Sequence, residues 1–169
     1  LTHLHGDHIG GNLIDGRPAF PNARYLVSRA DWDYWIAPNV LNGNSAVQEQ
    51  AAPLEGLNVL DLIEGEFVVT GELTTLPTPG HTPGHISLVI QSAGERGFIL
   101  GDVAHSPAQA EYTDWSPAFD IDPEISLVTR RAIFDRFEAE GSLIPTGHMP
   151  EQCFGRLVRE GGRRIWQVA

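Results

Sequence analysis

The chain has 169 residues, 41% of them hydrophobic, which is the size and make-up of one ordinary folded domain. Its 22 acidic residues against 11 basic ones leave a net charge of −11, a field that repels phosphate backbones and anionic lipid and so sets aside nucleic-acid and membrane-surface partners. A single cysteine excludes both an intrachain disulfide and a thiolate metal cluster, and no apolar run approaches the roughly 18 residues that span a bilayer.

After a histidine-rich opening, residues 23–27 read as a short strand. Ser28, with Asp31 three positions on, is a capping-box-like start for a helix through Trp32, Trp35 and Ile36. Residues 46–54 predict a second helix, stopped near Pro53 and Gly56. Three β-rich pieces follow at 59–63, 67–70 and 73–76, separated by glycines. Two more, at 86–90 and 97–100, flank the turn-like residues 92–95. Asp122-Pro123 is a good N-cap and first helical residue for an amphipathic run over 125–140. Residues 143–144 read as a short buried strand, and 156–168 as a hairpin turned at Gly161-Gly162. The expected class is a mixed α/β (α+β) layered domain.

The chemistry gathers at the ends of these pieces. In Thr2-His3-Leu4-His5-Gly6-Asp7-His8, side chains that alternate along an extended segment put His3 and His5 on one side. The backbone must then turn at Gly6, which aims Asp7 and His8 at a second nearby point. Two imidazoles for one cation, with a carboxylate and an imidazole for another, is donor chemistry suited to zinc. A polar loop with chance histidines is a poor account of three in six residues. Further donors follow in order: His81 in the turn Pro79-Gly80-His81-Thr82-Pro83-Gly84-His85, Asp102 after an apolar run, and His148 after the 143–144 strand. A lone strand-end aspartate is usually a turn or cap, so the weight lies in the ordered combination.

Other polar and aromatic residues receive plainer readings. His85 is expected to support the site through an outer hydrogen bond or packing, and His105 reads as an ordinary loop histidine rather than a pocket residue. Trp32, Trp35, Trp115 and Phe119 are core residues or the lining of an apolar cleft, Trp115 and Phe119 being the two assigned to the cleft. Within the acidic run Asp114, Asp120, Asp122 and Glu124, Asp122 is the helix cap and the others belong to a solvated face. Cys153 reads as a small packing residue.

Taken in order, His3-x-His5-x-Asp7-His8, His81 in its Gly/Pro turn, Gly101-Asp102 and Gly147-His148 resemble the metallo-β-lactamase superfamily. Within it, the opening Leu-Thr-His-Leu-His-Gly-Asp-His-Ile-Gly-Gly, Phe20-Pro21-Asn22-Ala23, His81-Thr82-Pro83-Gly84-His85 and Phe154-Gly155-Arg156 look like the methyl parathion hydrolase and N-acyl homoserine lactonase-like branch. The resemblance implies an αβ/βα sandwich lacking its N-terminal β-rich segment, with residues 1–169 forming a single domain from the histidine motif onward. It implies that His3, His5 and His81 hold one metal, that Asp7, His8 and His148 hold another, and that Asp102 bridges them. Two zinc ions per chain are expected, with Asp102 and Asp7 as the catalytic carboxylates.

The reaction implied is attack by a hydroxide held between the two metals on an ester, lactone or phosphotriester. The expected partners are a small-molecule substrate and at most a second copy in a homodimer, and the expected compartment is the cytoplasm. Two alternatives stand beside it: oxidation at one iron, because persulfide dioxygenases carry a similar histidine string, and a catalytically silent fragment of a hydrolase.

Overall fold

A computed structural model describes residues 1–149 and 154–169. The chain divides into two compact units, residues 1–65 and 66–169.

The first unit begins extended and turns into a single helical turn, α1 (Gly6–Ile9), followed by the small hairpin β1 (Leu13–Ile14) and β2 (Arg17–Pro18). β3 (Tyr25–Ser28) leads into four short helices: α2 (Arg29–Ile36), α3 (Pro38–Leu41), α4 (Ser45–Gln50) and α5 (Pro53–Gly56). The chain then returns as β4 (Leu60–Ile63), parallel to β3 with Tyr25 opposite Leu60. A parallel pair needs such a crossover, and helices supply it. Leu4, Ile9, Val27, Trp32, Trp35, Val47 and Ala51 form the core of this unit.

Two local expectations are corrected here. Ser28 precedes α2 but makes no side-chain cap. Asp31, read as part of that capping box, is instead fully buried and accepts the Leu4 amide at 2.9 Å through Oδ2. The helix expected over 46–54 is two helices: Asn44 caps α4 by accepting from the Val47 amide, and α4 ends at Gln50. Proline lacks the N–H that would continue the ladder, so Pro53 opens α5 at its first turn rather than ending α4 inside it.

The second unit contains two antiparallel three-stranded sheets. One is β5 (Leu73–Pro77), β6 (Ile86–Ser92) and β7 (Glu95–Ile99), with β6 in the middle. The other places β9 (Phe154–Glu160) between β8 (Ile144–Pro145) and β10 (Arg163–Val168). The β9–β10 hairpin turns at Gly161 and Gly162, both at positive φ, as expected of that dipeptide. The long helix α6 (Pro123–Glu140) is capped by Asp122, whose side chain accepts from the Ile125 amide. It buries Arg130, Ile133, Phe134 and Phe137 at helical spacing. The three apolar residues pack with Phe98, Leu100, Ile144 and Leu157, and the Phe98 and Phe137 rings stand 4.1 Å apart.

The strand expected at 67–70 shrinks to one bridge, Val68 opposite Thr74. The bend at Gly71-Glu72 follows so closely that the Val69 and Thr70 amides both fold back onto the Leu73 carbonyl. Cys153, read as a packing residue, lies outside the described residues. No described helix is long and apolar enough to cross a membrane.

Candidate metal centre

Residues 1–65 supply the first group of donors. His5 is the extended residue that caps α1 (φ −69°, ψ 152°), so His3 and His5 fall on one side, as the alternation of an extended chain requires. His3 Nε2 lies 3.0 Å from His5 Nδ1. Two nitrogens on one tetrahedral zinc, each at about 2.0–2.1 Å, stand about 3.3 Å apart, so this spacing fits a shared cation. The turn at Gly6 brings His8 round: its ring centroid is 4.1 Å from that of His3, and its Nε2 is 3.6 Å from Asp7 Oδ2. A Cβ at position 6 would stand 3.2 Å from the Ala46 Cβ, so the absence of a side chain lets α1 lie close to α4. Thr2 Oγ1 stands 3.1 Å from His3 Nδ1, and the Trp35 ring meets His5 edge-on at 5.2 Å.

Residues 66–169 supply the second group, built on a buried aspartate. Gly101 leaves β7 at φ +60° and opens a 3₁₀ turn, Gly101–Val103, that carries Asp102. Three imidazoles meet one oxygen of Asp102: Oδ2 lies 3.1 Å from His148 Nε2, 3.1 Å from His105 Nε2 and 3.3 Å from His81 Nε2. Imidazole nitrogens and a carboxylate oxygen at the edge length of a zinc tetrahedron are a donor set that fits this metal.

The turn between β5 and β6 delivers His81 and His85. Gly80 adopts φ +127°, and a Cβ there would fall 2.2 Å from the Ser126 amide nitrogen, so glycine alone permits the approach to α6. His85 serves as expected in support: its Nε2 accepts from the Asp102 amide at 2.9 Å, while Nδ1 faces Thr78 Oγ1 at 2.8 Å. Accepting at Nε2 requires the proton on Nδ1, and the Thr78 carbonyl, an acceptor only, lies 3.1 Å from Nδ1 to receive it.

Two residues gain roles that their sequence context concealed. His105, read as a loop histidine, packs against His81, His148 and Phe119, with ring centroids 5.0, 4.9 and 5.0 Å away. The chain runs extended through Ala104 after the 3₁₀ turn ends at Val103, and this returns the His105 ring to Asp102, three residues back. Gln109 Oε1 fixes its backbone by accepting the His105 amide at 2.7 Å.

Asp120, assigned to a solvated face, is buried, with Oδ1 2.9 Å from His81 Nδ1 and Oδ2 3.2 Å from an Arg130 nitrogen. Burial works against its charge, but His81, Ser126 and Arg130 hold its carboxyl below the usual range. Without a cation, burial pulls the His81 pKa down, and the hydrogen bonds to Asp102 and Asp120 outweigh that and push it to about 9. Of the aromatics, Trp32 and Trp35 are core, whereas Trp115 and Phe119 are exposed, Phe119 lying edge-on to His81 at 5.9 Å.

Comparison with known proteins bears on the family of the chain. Residues 1–148 match the family model described as the metallo-beta-lactamase superfamily. An N-acyl homoserine lactonase of Bacillus thuringiensis is 32% identical over 151 residues, covering 89% of this chain and 55% of the relative. The N-acyl homoserine lactonase AttM of Rhizobium radiobacter is 29% identical over 163 residues, 89% of this chain and 57% of its own. The chain thus spans a little over half the length of the curated relatives it matches.

Among solved structures, hydrolase AbOPH of the beta lactamase superfamily superposes with a TM-score of 0.90 at 28% identity, covering all of this chain and 62% of that one. An N-acyl homoserine lactone hydrolase with N-hexanoyl-L-homoserine bound at its catalytic metal centre gives 0.68 at 27% identity, over 97% of this chain and 59% of that one. The histidine and aspartate pattern, the mixed α/β elements and a family match over most of the length lead to one conclusion: the chain belongs to the metallo-β-lactamase superfamily.

Proposed function

We propose that the protein is a zinc-dependent hydrolase that opens the ring of an N-acyl homoserine lactone, with residues 1–169 belonging to a single metallo-β-lactamase domain. In this reading His3, His5 and His81 hold one zinc, Asp7, His8 and His148 hold the other, and Asp102 serves both. The observation that carries it is the convergence of three imidazole Nε2 atoms on one oxygen of the buried Asp102. The lactonase relatives supply the substrate class. They do not favour the iron dioxygenase alternative.

When bound, a zinc pair makes hydroxide available near neutral pH and polarises the oxygen of the bond under attack. The chain's own residues then have distinct tasks. His85 holds the backbone of Asp102 through its amide, which fixes the point from which the carboxylate reaches the site. His105, with Nε2 3.1 Å from Asp102 Oδ2, is placed to donate to that carboxylate and help orient it, without occupying a metal position in the proposed set. The exposed Phe119 ring beside His81 and His105 offers apolar surface for an acyl chain.

The test is elemental analysis of the purified protein and of an Asp102→Ala variant. Both are assayed on an N-acyl homoserine lactone, an aryl ester and a phosphotriester. About two zinc per chain, lactone hydrolysis, and a loss of more than about 100-fold in the variant are expected. A folded wild type without bound metal, or a zinc-loaded protein that leaves the lactone intact, would overturn the proposal.

A further inference from the structure

The first half of the turn that carries His81 is fastened to α6 and to the two residues that lead into it. Thr129 Oγ1 donates to the Pro79 carbonyl at 2.7 Å, the Asp122 amide to the Gly80 carbonyl at 2.9 Å, and the Ile121 amide to the His81 carbonyl at 3.1 Å. Within this zipper the Asp120 carboxylate lies between two groups, His81 Nδ1 on Oδ1 and Arg130 on Oδ2. Both the Asp120 and Arg130 side chains are fully buried.

Arg130 does more than neutralise Asp120. Its guanidinium donates to the Val103 carbonyl at 2.7 Å, to the Thr113 and Trp115 carbonyls at 3.0 Å each, and to Ser126 Oγ at 2.9 Å. Val103 adjoins Asp102, so one cation braces the carboxylate behind His81 and the backbone beside the proposed bridging aspartate. Hydrolysis as proposed above uses neither Asp120 nor Arg130 directly, yet a buried charge pair is costly to assemble.

We infer that Asp120, held by Arg130, is a positioning residue that fixes the ring and tautomer of His81 and so leaves Nε2 as its metal-binding nitrogen. An ionised carboxylate only accepts hydrogen bonds, so the nitrogen that faces it must carry the proton. Toward Asp120 that nitrogen is Nδ1, so when a cation takes the place of the proton that Nε2 shares with Asp102, the lone pair it meets is on Nε2. Arg130, which only donates, fixes the other end of the carboxylate as an acceptor. A metal-binding histidine commonly relies on such an outer partner, whose removal typically weakens metal binding about 10–100-fold. The inference rests on the metal reading proposed above.

Asp120→Asn separates positioning from mere packing. The amide keeps the size but must present its NH2 either to Arg130, where donors would collide, or to His81 Nδ1, which would drive the proton onto Nε2. Zinc affinity is measured by competition with a chromophoric chelator, alongside a Thr129→Val control that removes the Pro79 pin without touching the His81 ring. Asp120→Asn is expected to lose about 10–100-fold in zinc affinity, while Thr129→Val melts at a lower temperature and binds zinc as the wild type does.

A folded Asp120→Asn with wild-type affinity would overturn the inference and leave the metal reading intact. A wild type that binds no zinc would overturn the metal reading itself. Should Asp120→Asn not fold, nitrogen NMR of His81 in the zinc-loaded wild type decides: Nδ1–H is expected, and Nε2–H would overturn the inference.

Discussion

Between positions 3 and 8 the four proposed ligands of the first unit sit almost side by side, with a threonine hydroxyl and the edge of Trp35 beside them and the Leu4 amide between them donating to Asp31. The three proposed ligands of the second unit, His81, Asp102 and His148, are far apart in the chain. They are backed by His85 and Thr78 on one side and by Asp120 and Arg130 on the other. Consecutive residues are already close, so a turn at glycine suffices to aim them. Distant residues are brought together only by strands and helices, and their orientations need buried hydrogen bonds of their own. The second unit therefore concentrates polar groups in its interior, and it is where single substitutions should do most damage.

The sharpest way to break that contrast is Arg130→Ala. It leaves Asp120 buried without its cation and removes a donor from three backbone carbonyls, a loss of about 3–5 kcal/mol in denaturant unfolding. A cost below about 1 kcal/mol would place this pair with exposed ion pairs and end the contrast.

Asp31→Ala is the corresponding test in the first unit. It strips the acceptor from a buried amide, and about 1–3 kcal/mol is expected, less than for Arg130. A larger loss than that of Arg130→Ala would show that the first unit leans on its interior as heavily as the second.

The gentlest probe is pH, applied to protein kept free of metal by a chelator. His81 has its pKa raised from 6.5 to about 9 in the folded state, so its charged form stabilises the fold. That contribution is complete below about pH 6.5 and is lost as pH rises through 9. The stability difference between wild type and His81→Gln, measured by denaturant unfolding from pH 6 to 10, should shrink along that range. A difference that is flat or grows would show that Asp102 and Asp120 do not hold the imidazolium. The same proton must leave Nε2 before a cation can bind, so zinc affinity should rise over the same window.

The residues proposed as ligands stand out in the linear chain. Residue type and spacing express donor chemistry directly, and alternation about His3 and His5 with a turn at Gly6 follows from the backbone alone. The cap at Asp122 and the Gly161-Gly162 hairpin were readable for the same local reason, since side chain and φ preference act within a few residues.

What no local rule reached were the partners of those ligands. Asp120 sits in an acidic run that reads as solvated, and only the fastening of the His81 turn to α6 buries it between His81 and Arg130. Asp31 fits a helix cap by spacing, yet the fold spends it on the Leu4 amide. His105 gained its place when the extended Ala104, after the turn that follows β7, brought its ring back beside Asp102. A hydrogen bond between residues far apart in the chain leaves no periodicity and no motif. It exists because burial removes water as the competing partner, and which groups are buried together is decided when the sheets and α6 pack.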